Sequence, residues 1–127
     1  MDIKNYIKIL KAMGDPARLK LLKILSEKEL CVCEIEEVMN MKQTTVSQQI
    51  RRLKEANLVI ERKEGRWSYY SIDRITFDEF MESFKEFFVL PIQTQREFLQ
   101  EYKEIEEVSQ KEVSRKIVIC KRKEFID

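Results

Sequence analysis

Histidine is absent from the 127-residue sequence, and glycine and proline occur only twice each. So few turn-forming residues disfavour a sandwich or barrel, and the 37% of charged residues favours a helix-rich fold. Without histidine the chain lacks the side chain that most often performs acid–base catalysis near neutral pH. Because a glycine-rich phosphate loop and a nucleophile with a recognisable base are also missing, the sequence predicts that the protein is not an enzyme.

Long apolar runs are missing as well. No segment approaches the roughly 20 residues that a membrane-spanning helix requires, and the N-terminal MDIKNYIKIL shows no signal-peptide cleavage pattern. We therefore expect a cytoplasmic protein without membrane contact. Three cysteines are too few and too unevenly spaced for a disulfide framework, which favours reduced thiols with a metal-binding or redox role.

The charge is unevenly distributed, although the net charge is only +1. Residues 42–74 carry eight basic and four acidic side chains, whereas residues 75–109 carry three basic and nine acidic ones. A basic segment in the middle of the chain predicts a positive surface that can bind a polyanion. Ordinary solvated faces remain the alternative when charge is considered alone.

Helical spacing of apolar residues dominates the first 40 residues. A first helix is predicted from Ile3 to Met13. A second begins after Asp15, a good N-cap, with Pro16 in the first position, where its missing N–H costs nothing. After a link over residues 27–33, a short third helix is predicted over residues 34–39, with Ile35, Val38 and Met39 facing inward.

The segment NMKQTTVSQQIRRLKEANL has the clearest periodicity. Val46, Ile50 and Leu53 fall on one narrow stripe and predict a buried face. The opposite face carries hydroxyl and amide side chains with arginines beyond them, and such groups exchange hydrogen bonds with base edges and phosphates. A merely solvated helix more often shows Glu and Lys pairs at four-residue spacing. The outward-facing residues are Thr44, Thr45, Ser47, Gln48, Arg51 and Arg52.

Two strands joined by a turn at Gly65 are predicted in the next segment, LVIERKEGRWSYYSI. Arg62, Lys63 and Arg66 cluster around the tip of this hairpin. A hairpin can serve only as a lid on the core. Its basic tip, directly after the helix just described, instead predicts a contact with DNA.

The segment FDEFMESFKEFFVL, for which Thr76 is the predicted N-cap, places its phenylalanines on one broad helical face. A stripe this wide exceeds what a small monomer needs, so we predict that part of it packs against a partner subunit. A fully intramolecular core is the alternative. Beyond Pro91 a further helix is predicted to about Glu107. These patterns predict a DNA-binding unit with dimerisation helices over residues 1–90 and a helical extension and tail over residues 91–127.

Cys31 and Cys33 are separated by one residue. In a regular helix their side chains point about 200° apart, and in a regular strand they point to opposite faces. Both sulfurs can bind one ion only if the backbone leaves regular geometry at the border of the third helix. We therefore predict that ion binding reshapes the neighbouring DNA-reading helix. Two small buried hydrophobic residues are the alternative.

The predicted order of helices followed by a hairpin is that of a winged helix-turn-helix domain, a mostly α fold with a small β-hairpin. The stretches GDPARLKLLKIL, ELCVCEI, QTTVSQQIRRLKEANLV and RKEGRWSYYSI, within residues 14–72, resemble the ArsR family of metal-sensing repressors. This resemblance implies a homodimer that binds an imperfect palindrome in double-stranded DNA and releases it when a metal or metalloid binds. It also implies that Gln43, Thr44, Ser47, Gln48 and Arg51 face the major groove, with Arg62 and Arg66 on the wing.

The motif ELCVC matches the arsenic-responsive branch, and soft thiolate ligands suit As(III) or Sb(III) as the inducer. Some of those relatives have a third cysteine just after the pair, where this chain has Glu36 and Glu37. Cys120, the only other cysteine, either completes a three-sulfur site from its own or the other subunit or is an incidental tail residue. Three alternatives remain: a cadmium or lead sensor, a persulfide or redox switch, and a thiol-metal buffer with no DNA role.

Overall fold

The computed structural model describes residues 1–111. The chain divides into two compact units, of which the first is Met1–Lys85 and the second begins at Glu86. The six helices of the described residues are α1 (Ile3–Met13), α2 (Pro16–Glu27), α3 (Val32–Met39), α4 (Gln43–Glu55), α5 (Arg74–Val89) and α6 (Leu99–Lys111). The three strands are β1 (Leu30–Cys31), β2 (Val59–Glu64) and β3 (Trp67–Ile72).

The start of α2 is as predicted. The Asp15 carboxylate accepts hydrogen bonds from the amides of Ala17 and Arg18, both at 3.1 Å, and Pro16 occupies the first turn. The sharp connection from α1 depends on Gly14, because a Cβ there would lie 2.9 Å from the carbonyl oxygen of Leu10. The acidic cap and the small residue together set the direction in which α2 leaves α1.

The sheet has one strand more than the sequence predicted. The hairpin of β2 and β3 is confirmed, with Gly65 at φ +60° in its turn. Residues 30 and 31, however, form β1 within the segment that was predicted to be a link, and the strand order is β1-β3-β2. Two residues are too short a strand to show a period in the sequence, so only pairing with β3 reveals it.

The core of the first unit is built on the predicted stripe of α4. Val46, Ile50 and Leu53 are at most 3% exposed. Each such side chain contributes roughly 1.5–3 kcal/mol by leaving water. The other fully buried large side chains are Leu21, Leu25, Ile35, Leu58 and Phe80. Val38 was predicted to face inward. This prediction was wrong, because Val38 is 59% exposed.

Helix α5 begins three residues earlier than predicted. Its cap is Asp73, whose carboxylate accepts the amide of Thr76 at 3.1 Å, so the prediction of Thr76 as N-cap was wrong. Of the phenylalanine stripe, only Phe80 is fully buried, where it packs edge-on against Tyr6 with ring centres 6.3 Å apart. The Tyr6 hydroxyl also donates to the carbonyl of Ser83 at 3.0 Å and ties α1 to α5.

Within the second unit, two short 3-10 helices, Ile92–Thr94 and Arg96–Phe98, lie between the end of α5 and α6. The helix predicted beyond Pro91 is therefore confirmed, but it begins at Leu99. Gln95 Nε2 donates to the carbonyls of Phe87 and Leu90 at 3.1 and 2.9 Å, which satisfies two carbonyls at the end of α5. Cys120 lies outside the described residues, and the domain division at residue 90 stays a prediction.

Candidate DNA interface and thiol site

The outer face of α4 is accessible over its whole length. Val46, Ile50 and Leu53 hold the opposite face in the core, so the helix cannot rotate without exposing apolar area. Thr45 is half-buried at the edge of the stripe. The other residues predicted to read DNA are all exposed: Gln43, Thr44, Ser47, Gln48, Arg51 and Arg52.

Arg18 of α2 connects α1 to α4 through side-chain hydrogen bonds. Its Nε and Nη2 groups donate to the carbonyls of Ala12 and Lys11 at 2.7 and 3.3 Å, and its Nη1 group donates to Gln49 Oε1 at 2.9 Å. The last turn of α1 is thereby connected to the middle of α4. Gln49 is half-buried in this contact, whereas its neighbour Gln48 points to solvent. The sequence pattern did not single out Arg18, because its partner lies 31 residues away.

The hairpin of β2 and β3, the wing of this fold, presents two cations at its tip. Lys63 and Arg66 are exposed, and no ion pair within residues 1–111 involves either of them. Arg62 is also exposed, but it is bound by the carboxylates of Glu29 and Glu64. Hydrogen bonding to Arg62 lowers the pKa of Glu29 below its ordinary value. Of the three predicted wing residues, Lys63 and Arg66 can therefore meet a phosphate without first losing a carboxylate.

The two cysteines lie on opposite sides of a junction between strand and helix. Cys31 ends β1 with extended backbone, φ −88° and ψ 169°, and is also the N-cap of α3. Cys33 lies in the first helical turn, so α3 starts before the predicted residue 34 and includes one cysteine. Cys31 is 8% exposed, whereas Cys33 is open to solvent. The backbone therefore changes from extended to helical between the two thiols.

Glu34 closes the first turn of α3 onto Cys31. The amide of Cys31 donates to Glu34 Oε1 at 3.0 Å. This backbone hydrogen bond, with a further one from the Cys31 side chain, lowers the pKa of Glu34 below its ordinary value. Glu34 is therefore ionised at neutral pH beside Cys31, and a group that binds the Cys31 sulfur must displace or tolerate this carboxylate.

The donor set near the pair is small. Within residues 1–111, no group of three or more cysteines, histidines or carboxylates is arranged to hold a metal ion. Two neighbouring thiols suit a thiophilic ion that needs few protein ligands, in contrast to a closed four-ligand zinc site. Cys120, the predicted third ligand, lies outside the described residues.

The segment that carries Cys31 adjoins both parts of the candidate DNA interface. Across the β1–β3 pair Cys31 lies directly opposite Tyr69 of the wing. The adjacent Val32 lines a cleft of about 450 Å³, together with Ser47 and Arg51 of α4. Residues 31 and 32 therefore adjoin the wing through the sheet and α4 across the cleft.

Comparison with known proteins identifies the family. The model described as bacterial regulatory protein, arsR family, matches residues 15–61. An HTH-type transcriptional regulator of Methanocaldococcus jannaschii is 46% identical over 70 residues, which are 53% of this chain and 79% of that protein. The chain belongs to the ArsR family. Its members are DNA-binding transcriptional regulators, a class of proteins that are not enzymes.

Other ArsR-family relatives have names that differ in the metal. An arsenical resistance operon repressor of Staphylococcus aureus is 32% identical over 83 residues, 65% of this chain and 80% of the repressor. A homolog of the cadmium resistance regulatory protein CadC, also from Staphylococcus aureus, is 40% identical over 70 residues, 54% of this chain. This chain spans only 58% of that homolog. The names of the relatives therefore leave the inducer of this ArsR-family protein open.

The fold also agrees with solved structures. The homodimeric winged helix-turn-helix DNA-binding domain of a possible ArsR-family regulator from Mycobacterium bovis superposes with a TM-score of 0.57 at 29% identity. The match covers 64% of this chain and 76% of that domain. The winged helix-turn-helix fold predicted from the sequence is confirmed. None of the helices within residues 1–111 is long and apolar enough to cross a membrane.

Proposed function

We propose that this ArsR-family protein represses transcription as a homodimer that binds an imperfect palindrome, and that it releases this operator when As(III) or Sb(III) binds Cys31 and Cys33. The recognition helix is α4, which places Gln43, Thr44, Ser47, Gln48 and Arg51 in the major groove. Thr45 and Arg52 flank these residues. The wing that carries Arg62, Lys63 and Arg66 approaches the phosphates, and Lys63 and Arg66 make the contacts because Arg62 is already paired with Glu29 and Glu64.

The position of the cysteine pair carries this proposal. Cys31 is in a strand paired with the wing, Cys33 is in the first turn of α3, and Val32 between them lines the cleft beside Arg51. An ion that draws the two sulfurs together has to move the backbone of this junction, since strand and helix point them apart. The movement changes the position of β1 against the wing and of Val32 against α4, and DNA affinity falls.

Two thiolates supply the soft ligands that trivalent arsenic and antimony prefer. The partly exposed junction allows entry, since Cys33 is open to solvent. Cys120 is the proposed third ligand. A cadmium or lead sensor would need more sulfur than this pair offers, and a persulfide switch would need an oxidised sulfur donor in place of a metal.

The apolar surface of α1 supports the homodimer. Ile3, Ile7 and Leu10 are 40%, 46% and 36% exposed and lie along one side of the helix. Met81 of α5, in the same unit, is 49% exposed. Apolar side chains in a continuous stripe are typical of an interface between subunits.

The test is a titration of the protein–DNA complex. Duplexes are selected from a random-sequence pool with the wild-type protein, and affinity is followed by fluorescence anisotropy as arsenite, antimonite, cadmium or a persulfide donor is added. Wild type is expected to bind tightly and to release the duplex with arsenite or antimonite. Cys31→Ser and Cys33→Ser are expected to bind the same duplex and to keep it when arsenite is added.

Each other result points to one of the alternatives. Release by cadmium alone, or by the persulfide donor alone, would show that the proposed inducer is wrong but that the protein is still a repressor. Binding of metal without any sequence-preferring, salt-dependent DNA complex would make the protein a thiol-metal buffer. Cys120→Ser, in the same assay, tests the third ligand: a weakened arsenite response is expected, and a normal one would remove Cys120 from the site.

A further inference from the structure

Arg62 on β2 is bound on several sides. Its Nε group donates to both carboxylate oxygens of Glu29 at 3.1 Å, and its Nη2 group donates to Glu29 Oε1 at 2.7 Å. Its Nη1 group donates to Glu64 at 2.9 Å. The guanidinium carbon lies 4.8 Å from the centre of the Tyr69 ring. Three of its five N–H groups and one of its faces are therefore occupied.

The charges of this group do not favour DNA. One guanidinium faces two carboxylates, so the cluster of Glu29, Arg62 and Glu64 carries a net charge of −1 on a wing that has to approach phosphates. Glu64 makes one hydrogen bond and its side chain is 68% exposed, whereas Glu29 binds through both oxygens and is 35% exposed. Glu29 is the stronger of the two competitors, because an arginine bound through two groups to one carboxylate has the most favourable geometry.

The location of Glu29 connects this contact with the thiol site. Glu29 directly precedes β1 and stands two residues before Cys31. Cys31 and Arg62 are the two residues paired with Tyr69, one from each neighbouring strand. Residues directly opposite one another in antiparallel strands point to the same face of the sheet. Arg62 and Cys31 therefore lie on the same face of the sheet, on either side of Tyr69. Glu29, which binds Arg62, is next to the strand that carries Cys31.

We infer that Glu29 is a positioning residue that holds Arg62 away from the DNA backbone and thereby sets an upper limit on operator affinity. The inference rests on the proposed DNA binding through α4 and the wing. In the wild-type complex Arg62 contributes little, because a phosphate has to compete with a carboxylate already bound through both oxygens. Without the charge of Glu29, the same arginine forms one additional phosphate contact.

The experiment compares the salt dependence of DNA binding in wild type, Glu29→Gln, Arg62→Ala and the double variant. Affinity for the selected duplex is measured between 50 and 200 mM salt. A phosphate contact adds about 0.9 to the slope of log affinity against log salt. Glu29→Gln is therefore expected to bind more tightly at 50 mM, with the advantage over wild type shrinking about threefold by 200 mM. In the Arg62→Ala background, Glu29→Gln is expected to leave the slope unchanged.

Glu37→Gln is the matched control. Glu37 is an exposed carboxylate on α3 that forms no ion pair with arginine within residues 1–111, so the variant changes the net charge equally without releasing Arg62. Its slope is expected to equal that of wild type. Equal slopes in Glu29→Gln and wild type, or a steeper slope that persists without Arg62, would overturn the inference. Failure of wild type to bind any duplex would instead show that the proposed function is wrong, and the inference with it.

Discussion

Lys54, in the last turn of α4, forms an ion pair with Glu61 of β2, with 2.8 Å between Nζ and Oε1. The contact ties α4 to the wing that follows it. The hydrogen bond from Lys54, with a second one from Ser68, lowers the pKa of Glu61 to about 2. Tyr70 also donates its hydroxyl to Glu61, at 3.4 Å. One ionised carboxylate therefore contributes to the contact between α4 and the wing.

Stability should fall in acid partly because of Glu61. A carboxyl group whose pKa is lowered on folding stabilises the folded state above its ordinary pKa, and this contribution is lost as the pH falls from about 4.5 towards 2. With Lys54 partly exposed, the contribution is about 1 kcal/mol after screening by solvent. Glu61→Gln is therefore expected to be less stable than wild type at pH 7 and equally stable near pH 2, as measured by urea denaturation.

Glu27→Gln is the control for this pH dependence. Glu27 pairs with Lys23 on the surface of α2, where both side chains are 72% exposed. Such a pair contributes little, so this variant should follow the wild-type curve at every pH. If the free energy of unfolding of Glu61→Gln differed from that of wild type by the same amount at pH 7 and at pH 2, the role assigned to the ionised carboxylate would be contradicted.

Loss of Arg18 should destabilise the first unit. Arg18→Ala removes three hydrogen bonds that join α1 to α4, and leaves Gln49 half-buried without its donor. The free energy of unfolding is expected to fall by about 2 kcal/mol, since hydrogen bonds from a charged group are stronger than neutral ones. Lys20→Ala, an exposed cation on the same helix, should change it by less than about 0.5 kcal/mol. Equal effects of the two variants on the free energy of unfolding, measured by urea denaturation, would contradict a stabilising role for the Arg18 hydrogen bonds.

Substitutions on the outer face of α4 should affect DNA binding and not folding. Gln48→Ala and Arg51→Ala are each expected to weaken binding of the selected duplex by about 1–3 kcal/mol, because a contact to a base edge is lost. Their urea denaturation midpoints should match wild type, as both side chains are exposed. Lys4→Ala, on α1, serves as the control for a lost surface charge. Unchanged affinity in both α4 variants would exclude this face as the reading surface.

The apolar stripe of α1 should decide the oligomeric state. Ile7→Glu places a charge in the middle of Ile3, Ile7 and Leu10, and a charge buried in an apolar interface is strongly unfavourable. The variant is expected to sediment as a monomer at concentrations at which wild type is a dimer, with unchanged helix content by circular dichroism. Lys4→Glu changes the charge by two units on the polar side of the same helix and should remain dimeric. A dimeric Ile7→Glu would place the interface elsewhere.

Local patterns in the sequence determined much of this fold. The periodic stripe of Val46, Ile50 and Leu53, the cap at Asp15 and the turn at Gly65 all depend on residues within a few positions of each other, and the structure agrees with each. The winged helix-turn-helix fold followed from their order. The neighbouring cysteines were recognisable for the same reason, although their role remains a prediction.

Tertiary structure alone decided the contacts that connect these elements. Strand β1 exists because Leu30 and Cys31 pair with Tyr70 and Tyr69, about 40 residues further along the chain. Arg18 finds Gln49, and Arg62 finds Glu29, across similar separations. A local pattern reports the face that a residue presents, but not which distant partner folding brings to it. The chain's own sequence therefore predicts where DNA and a soft ion bind, whereas only the folded chain shows which contacts lie between these two candidate sites.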